Sequence, residues 1–238
     1  MVSIPRNDPI ALKRAAAARA LDYVQDGMKL GLGTGSTADL FLELLAERIR
    51  NGLTVIGTPT SERTADHARR LGIPLAELDY LGRLDLAVDG ADEADRNLDL
   101  IKGGGGALLR EKIVAASAAR LVVIADESKL VDPLGAFPLP VEVVSFGHIS
   151  TRARIRQAAE SLGYGNLTPV LRSKDGEPFR TDNGNCIYDC PFGAITNARL
   201  LASSLSVIPG VVDHGLFVGM ASALVLAGPG GVRVLERK

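Results

Sequence analysis

The chain has 238 residues, and its 27 Lys and Arg nearly balance 28 Asp and Glu, for a net charge of −1 at pH 7. Apolar residues make up 46% and charged residues 23%, the proportions of a globular chain with a real core. With so little net charge there is no broad basic field to hold nucleic acid or an anionic membrane surface, and neither partner is expected.

The length suits one large domain or two small ones. No run approaches 18 apolar residues, and residues 1–9 carry no signal-peptide core, so a cytoplasmic location is expected. Cys186 and Cys190 are the only cysteines. On a strand their sulfurs would share a face but sit roughly 13 Å apart, too far to bridge. His67, His148 and His214 show no ligand spacing, and no metal site is expected.

In chain order, Asp8-Pro9 reads as a helix cap and first turn, opening an Ala-rich helix to Asp26. A short strand, Leu30 to Leu32, ends in the glycine-rich run 33–37, and Leu40, Phe41, Leu44, Leu45 and Ile49 then repeat at helical spacing. Ser36 and Asp39 have the offset of a capping box, which would start that helix at the loop. Next come a strand near 53–57, a polar helix near 62–71, a strand near 73–78, and a strand over 84–88 that ends on Asp89-Gly90-Ala91-Asp92-Glu93. A segment near 98–101 leads into Lys102 and four glycines, a helix to about Arg120, and an apolar strand over 121–125. Strands alternating with helices predict a mostly parallel, Rossmann-like sheet flanked by helices.

After Phe137-Pro138-Leu139-Pro140 the texture changes to a smaller α+β unit, expected to be ferredoxin-like. The expected division is 1–138 plus 209–238 for the large domain and 139–208 for the small one, with the last strands returning to the first sheet.

Three polar clusters follow strands, where open parallel sheets bind ligands. In the first, Gly33-Thr34-Gly35-Ser36-Thr37, glycines let backbone approach an anion and a helix start supplies N–H groups, so phosphate is the natural guest. The loop lacks the Lys of a nucleotide-binding P-loop, and Ser36 stands where a dinucleotide fold needs a third Gly. In the second, Asp89 and Asp92 are placed to bond hydroxyls or relay protons; Glu93 and Asp95 read as solvent-facing. In the third, Lys102-Gly103-Gly104-Gly105-Gly106, four glycines are costly in backbone entropy and point to a functional loop. On the helix that follows, Glu111 is the one charge on a stripe of Ala107, Leu108, Val114, Ala115 and Ala118, about six residues in. A carboxylate against such a surface has its pKa raised and becomes a stronger base. A purely structural Glu111 would instead pair with Arg110, Lys112 or a buried partner.

Taken in order, the segments 31–38, 89–93 and 102–112 resemble type A ribose-5-phosphate isomerase. The similarity extends through Ala125-Asp126-Glu127-Ser128-Lys129, 137–143, Thr181-Asp182-Asn183-Gly184-Asn185 and Pro209-Gly210-Val211-Val212, with Leu109 where Thr is familiar in the family. The resemblance implies interconversion of ribose 5-phosphate and ribulose 5-phosphate in the non-oxidative pentose phosphate pathway, without a metal or organic cofactor; the fold class fits a homodimer and a homotetramer equally, and one of the two is expected. It implies Glu111 as the base of a cis-enediol mechanism. Thr34, Gly35, Ser36 and Thr37 would take the phosphate, and Asp89, Gly90, Ala91 and Asp92 the sugar, with Asp89 favoured for ring opening. Lys102, Gly103, Gly104 and Gly105 would form the third side, with Lys129 as a further basic contact. Lys102 is the expected electrophile. A non-catalytic sugar-phosphate sensor and a Mg²⁺-dependent phosphotransferase built on Asp89 and Asp92 are the alternatives.

Overall fold

The structure, a computed structural model, describes residues 8–237; most of the stretch read above for a signal peptide lies outside them. The Asp8 carboxylate accepts the amides of Ile10 and Ala11 and caps α1 (Pro9–Ala20). Then come β1 (Lys29–Leu32), α2 (Ser36–Arg50), β2 (Ile56–Pro59), α3 (Glu62–Arg70), the single turn α4 (Leu78–Leu81) and β3 (Leu86–Asp89). Two short strands, β4 (Glu93–Ala94) and β5 (Leu100–Ile101), precede α5 (Leu108–Ser117) and β6 (Leu121–Asp126). The chain continues through β7 (Leu139–Val143), α6 (His148–Ser161), β8 (Val170–Leu171), the hairpin of β9 (Ser173–Lys174) and β10 (Glu177–Pro178), and β11 (Cys186–Cys190). It ends with α7 (Ala198–Ser206), β12 (Val211–His214), β13 (Leu216–Phe217), β14 (Ala223–Gly228) and β15 (Gly231–Glu236).

The large sheet runs β15-β14-β6-β3-β1-β2, parallel except for the final β14–β15 hairpin. Its central strands are buried on both faces, and the period of two is sharp. Leu86, Val88, Val122, Ile124 and Val225 face the core that holds α1 and α2. Ala87, Leu121, Val123, Ala125, Leu224 and Leu226 face the core that holds α5. From β1 the chain steps outward to β2, then returns to β3 on the other side of β1. The switch point therefore lies at the carboxyl ends of β1 and β3, where the crevice of an open α/β sheet opens.

The strand expected near 73–78 reduces to one bridge between Gly57 and Leu75, because Pro74 has no N–H to extend the ladder. The short strands β13-β5-β4 form a separate sheet beside the core that holds α5.

The second unit has the sheet order β12-β7-β11-β8, antiparallel throughout, with α6 and α7 contributing Ile155, Ala159, Leu201 and Leu205 to its core. Its chain order is β-α-β-β-α-β, the ferredoxin-like pattern. This corrects the boundary at 208/209. Val211–His214 is the fourth strand of the small sheet, paired with β7, and only β14 and β15 rejoin the large one. The ferredoxin-like pattern is incomplete without that strand, so Pro209-Gly210 is a turn inside the unit. Cys186 and Cys190 lie buried and unbridged on β11.

Candidate active site

The loops after β1, β3 and β5 converge on one cavity of about 160 Å³, lined by Thr34 to Thr37, Gly90 to Asp92, Lys102 to Gly105, Glu111, Lys129 and Lys13. A larger open groove, about 580 Å³, runs along α6 past Arg152 and Arg156, but none of the three loops reaches it. Among the described residues no group of three or more metal-ligating side chains clusters anywhere.

The first loop is held closely against its neighbours. A Cβ on Gly33 would lie 2.2 Å from Asp89 Oδ1, so only glycine fits between β1 and β3. Gly35 adopts φ +123°, a conformation L side chains rarely reach, and stands at the N-cap of α2. The capping box is not formed: no side chain caps α2, and the Asp39 carboxylate pairs instead with Arg63 at 2.9 Å and His67 at 3.4 Å. The first amides of a 15-residue helix are thereby left facing the cavity, the arrangement that binds a phosphate dianion. The Thr34 amide donates to Asp89 Oδ1 at 3.0 Å. The Thr34 hydroxyl turns away into a cluster with Thr60, Ser61 and Thr64 at 2.7–2.9 Å. That cluster, from the β2–α3 connection, was not anticipated, although the run Thr60-Ser61-Glu62-Arg63-Thr64 after a strand carried a hint of it.

Lys13 was also missed. It lies on α1, and its Nζ donates to Ser36 Oγ at 2.9 Å. Nothing in an Ala-rich helix foretells that one lysine of it lands on a loop 23 residues away.

The second loop needs one correction. Glu93 is not solvent-facing: it is buried, and its two oxygens accept the amides of Gly135 and Phe137, both at 2.6 Å. Asp95 is half-buried and accepts the amides of Asn97 and Asp99. Asp89 sits beneath the cavity floor, with Oδ1 taken by the Thr34 and Gly90 amides and Oδ2 3.0 Å from Lys102 Nζ. Asp92 borders the cavity, and its Oδ2 accepts the Gly104 amide at 2.8 Å.

Lys102 is 2% exposed. Its ammonium donates to Gly90 O at 2.5 Å, pairs with Asp89, and lies 3.5 Å from Glu111 Oε2. Burial alone would favour the neutral amine, but two carboxylates beside it hold its pKa above the usual lysine value. The Phe217 ring supports it from below, 5.5 Å from Nζ.

Glu111 faces inward with Leu108, Val114 and Ala115, on the apolar stripe read from the sequence. It stands in the first turn of α5, not six residues in, because the glycine loop extends to Gly106 before the helix begins. Neither Arg110 nor Lys112 pairs with it. Arg110 reaches Glu62 and Asn183, while Lys112 reaches Asp213 and the His214 carbonyl. Its Oε2 has no hydrogen-bond partner, and 3.5 Å to Lys102 is too long for a strong one. Desolvation pushes its pKa up to about 8, assisted by the negative charge of Asp89 and Asp92 and opposed by Lys102. Burial raises Asp89 as well. One ammonium serves two buried carboxylates, and Asp89 holds it more closely while accepting two amides. Of the two, Glu111 is therefore the carboxyl that the surroundings leave easier to protonate.

Residues 56–231 match the family model for ribose 5-phosphate isomerase A (phosphoriboisomerase A). The chain is 60% identical over 230 residues to ribose-5-phosphate isomerase A of Rhodopseudomonas palustris (strain TIE-1), covering 97% of this chain and 99% of that one. Its structure resembles ribose 5-phosphate isomerase from Plasmodium falciparum, with a TM-score of 0.91 at 40% identity over 96% of this chain and 99% of that one. A D-ribose-5-phosphate isomerase in complex with phospho-erythronic acid gives a TM-score of 0.89 at 38% identity, over 97% and 100% of the two chains. The chain belongs to the ribose 5-phosphate isomerase A family.

Proposed function

We propose that this chain interconverts D-ribose 5-phosphate and D-ribulose 5-phosphate through a cis-enediol, with Glu111 as the base. The observation that carries the reading is the Glu111 carboxylate itself. It is buried, has an unpartnered oxygen, and opens on a cavity between an uncapped helix start and a buried ammonium.

The phosphate would sit on the amides at the start of α2, with Lys13, bonded to Ser36, and Lys129, also on the cavity wall, supplying charge. That places the carbonyl end of an open-chain pentose against Lys102 and Glu111. Ionised Glu111 takes the proton from C2 of the aldose. The C2 electron pair forms the C1–C2 double bond, and charge moves to O1. In the return step the proton of O2 passes to O1, restoring the C1 hydroxyl, the C2 carbonyl forms, and Glu111 delivers its proton to C1. The two oxygens of a cis-enediol lie on one side, so a single ammonium can face both. Gly90 O and Asp89 occupy two of the three N–H groups of Lys102. The third faces Glu111 at the long distance of 3.5 Å and is the one free to meet the substrate oxygen.

Ring opening precedes this step for a cyclic aldose. Asp92 borders the cavity, while Asp89 reaches it through Lys102, so the proton transfer of ring opening is assigned to Asp92 and the holding of the ammonium to Asp89. Cytoplasmic residence and assembly as a dimer or tetramer belong to the same proposal, and sedimentation of the purified chain tests the latter. The deciding experiment is an assay of ribulose 5-phosphate formation in EDTA beside the Glu111→Gln variant. No turnover by the natural chain, or near-normal turnover by the variant, overturns the reading.

A further inference from the structure

The third loop, 103–106, is all glycine and has no side chains with which to hold itself. The Gly104 amide is held by Asp92 of the large unit, and the carbonyls of the loop are held from the small unit. Arg172 follows β8, and its backbone is bonded on both sides, N–H to Ile187 O and carbonyl from the Phe179 amide. Its guanidinium is locked by Asp189 of β11 in a two-point pair, 2.9 Å from Nε to Oδ2 and 2.5 Å from Nη2 to Oδ1. The remaining nitrogen, Nη1, donates to Gly103 O at 2.8 Å and Gly104 O at 3.2 Å.

The Gly103–Gly104 peptide is thus gripped at both ends. Arg172 takes its carbonyl, and its N–H donates to Asp92 Oδ2 at 2.8 Å. A chain of charge-assisted bonds runs Asp189, Arg172, the peptide, Asp92, from the small sheet to the cavity wall. Polarising a peptide at its oxygen strengthens the bond that its N–H makes. Arg172 itself is outside the cavity lining.

We propose that Arg172 is a positioning residue for the isomerase reaction: it sets the glycine loop and, through the Gly103–Gly104 peptide, the orientation of Asp92. The small unit is then part of the catalytic apparatus. This rests on the isomerase reading. The phosphate end of the cavity is built by the other loop, which Arg172 does not touch, so its loss acts on the reacting end of the substrate.

The test compares Arg172→Gln, Arg172→Lys and Asp189→Asn with the natural chain, by steady-state kinetics on ribose 5-phosphate and by amide hydrogen exchange of the 103–106 segment. For Arg172→Gln, kcat is expected to fall about tenfold or more with KM within about threefold, and the loop amides to exchange faster. Arg172→Lys, able to reach one carbonyl but not the two-point pair, should fall between. A kcat within about twofold of natural with unchanged exchange overturns the proposal, as does a raised KM at constant kcat. Should Arg172→Gln not fold, Arg172→Lys and Asp189→Asn carry the same judgement. If the natural chain shows no isomerisation the functional reading fails. The exchange data still decide whether Arg172 holds the loop.

Discussion

The glycine loop after β1 and the glycine loop after β5 face each other across one cavity, yet they are held by different means. The first is fixed from within the large sheet. Gly33 is wedged against Asp89, and the Thr34 hydroxyl is anchored in a cluster from the next βα connection. The third has its carbonyls fixed from a different unit, by Arg172, which lies 69 and 68 positions beyond Gly103 and Gly104. A phosphate needs fixed amides and a helix start, which one strand–turn–helix supplies. Proton transfer between adjacent carbons needs a base, a cation and a carboxylate held together, and here the cation and the base lie on either side of the glycine loop. Flanking Glu111, Arg110 and Lys112 also reach into the small unit, to Asn183 and to Asp213. The chemical end of the cavity is therefore a joint construction, and the phosphate end is not.

The sharpest break in this comparison is Glu111→Gln, expected to lower kcat by about 10³–10⁴-fold while binding of inorganic phosphate, measured calorimetrically, persists. Loss of phosphate binding would mean the two ends are not separable. Lys102→Ala is expected to cost about 10²–10³ in kcat, with KM the lesser change. Unchanged turnover with only a raised KM would reassign Lys102 to binding.

The pH dependence follows from the same carboxylate. Because Glu111 must be ionised to act and its pKa lies at about 8, kcat/KM is expected to rise through that range, reported by a pH–rate profile. For stability the sign is opposite. The folded state keeps a proton that the unfolded chain, with its ordinary value of 4.5, releases, so this group's contribution is complete below about pH 4.5 and is lost as pH rises through 8. Glu111→Gln should accordingly gain in melting temperature relative to the natural chain between pH 5 and pH 9. No relative gain would place the proton elsewhere.

Changes in the first loop are expected to be smaller and to fall on the phosphate end. Gly33→Ala puts a methyl against Asp89 and should destabilise by about 1–3 kcal/mol in denaturant melts, raising KM before it lowers kcat. Thr64→Val removes one member of the hydroxyl cluster and leaves the Gly33 carbonyl and Thr34 hydroxyl short of a partner, for about 1–2 kcal/mol and a modest rise in KM. A kcat effect exceeding the KM effect in either variant would erase the contrast between the loops.

Much of this was legible in the residues because its causes are local. Short apolar runs alternating with helical segments specified the parallel strands, since strands buried on both faces have no polar side to show. The helical stripe around Glu111 placed that acid against an apolar surface before any partner was known. Glycine runs after strands marked both loops. Other features depend on contacts distant in sequence. Glu93 read as exposed because an acidic turn normally is, and only the return of residues 135 and 137 supplies the amides that bury it. Val211–His214 read as part of the large sheet because strand propensity carries no information about which open edge a strand will join. Lys13 and Arg172 carried no local signal at all.

Sequence alone was enough for the kind of chemistry, through the glycine loops, the paired aspartates and one acid on a greasy helix face, because backbone freedom and side-chain period are properties of neighbouring residues. Folding in three dimensions decided which groups share an ammonium and which hold a loop still. Those outcomes depend on desolvation and on a few ångströms between segments far apart along the chain, and neither quantity exists until the chain has closed on itself.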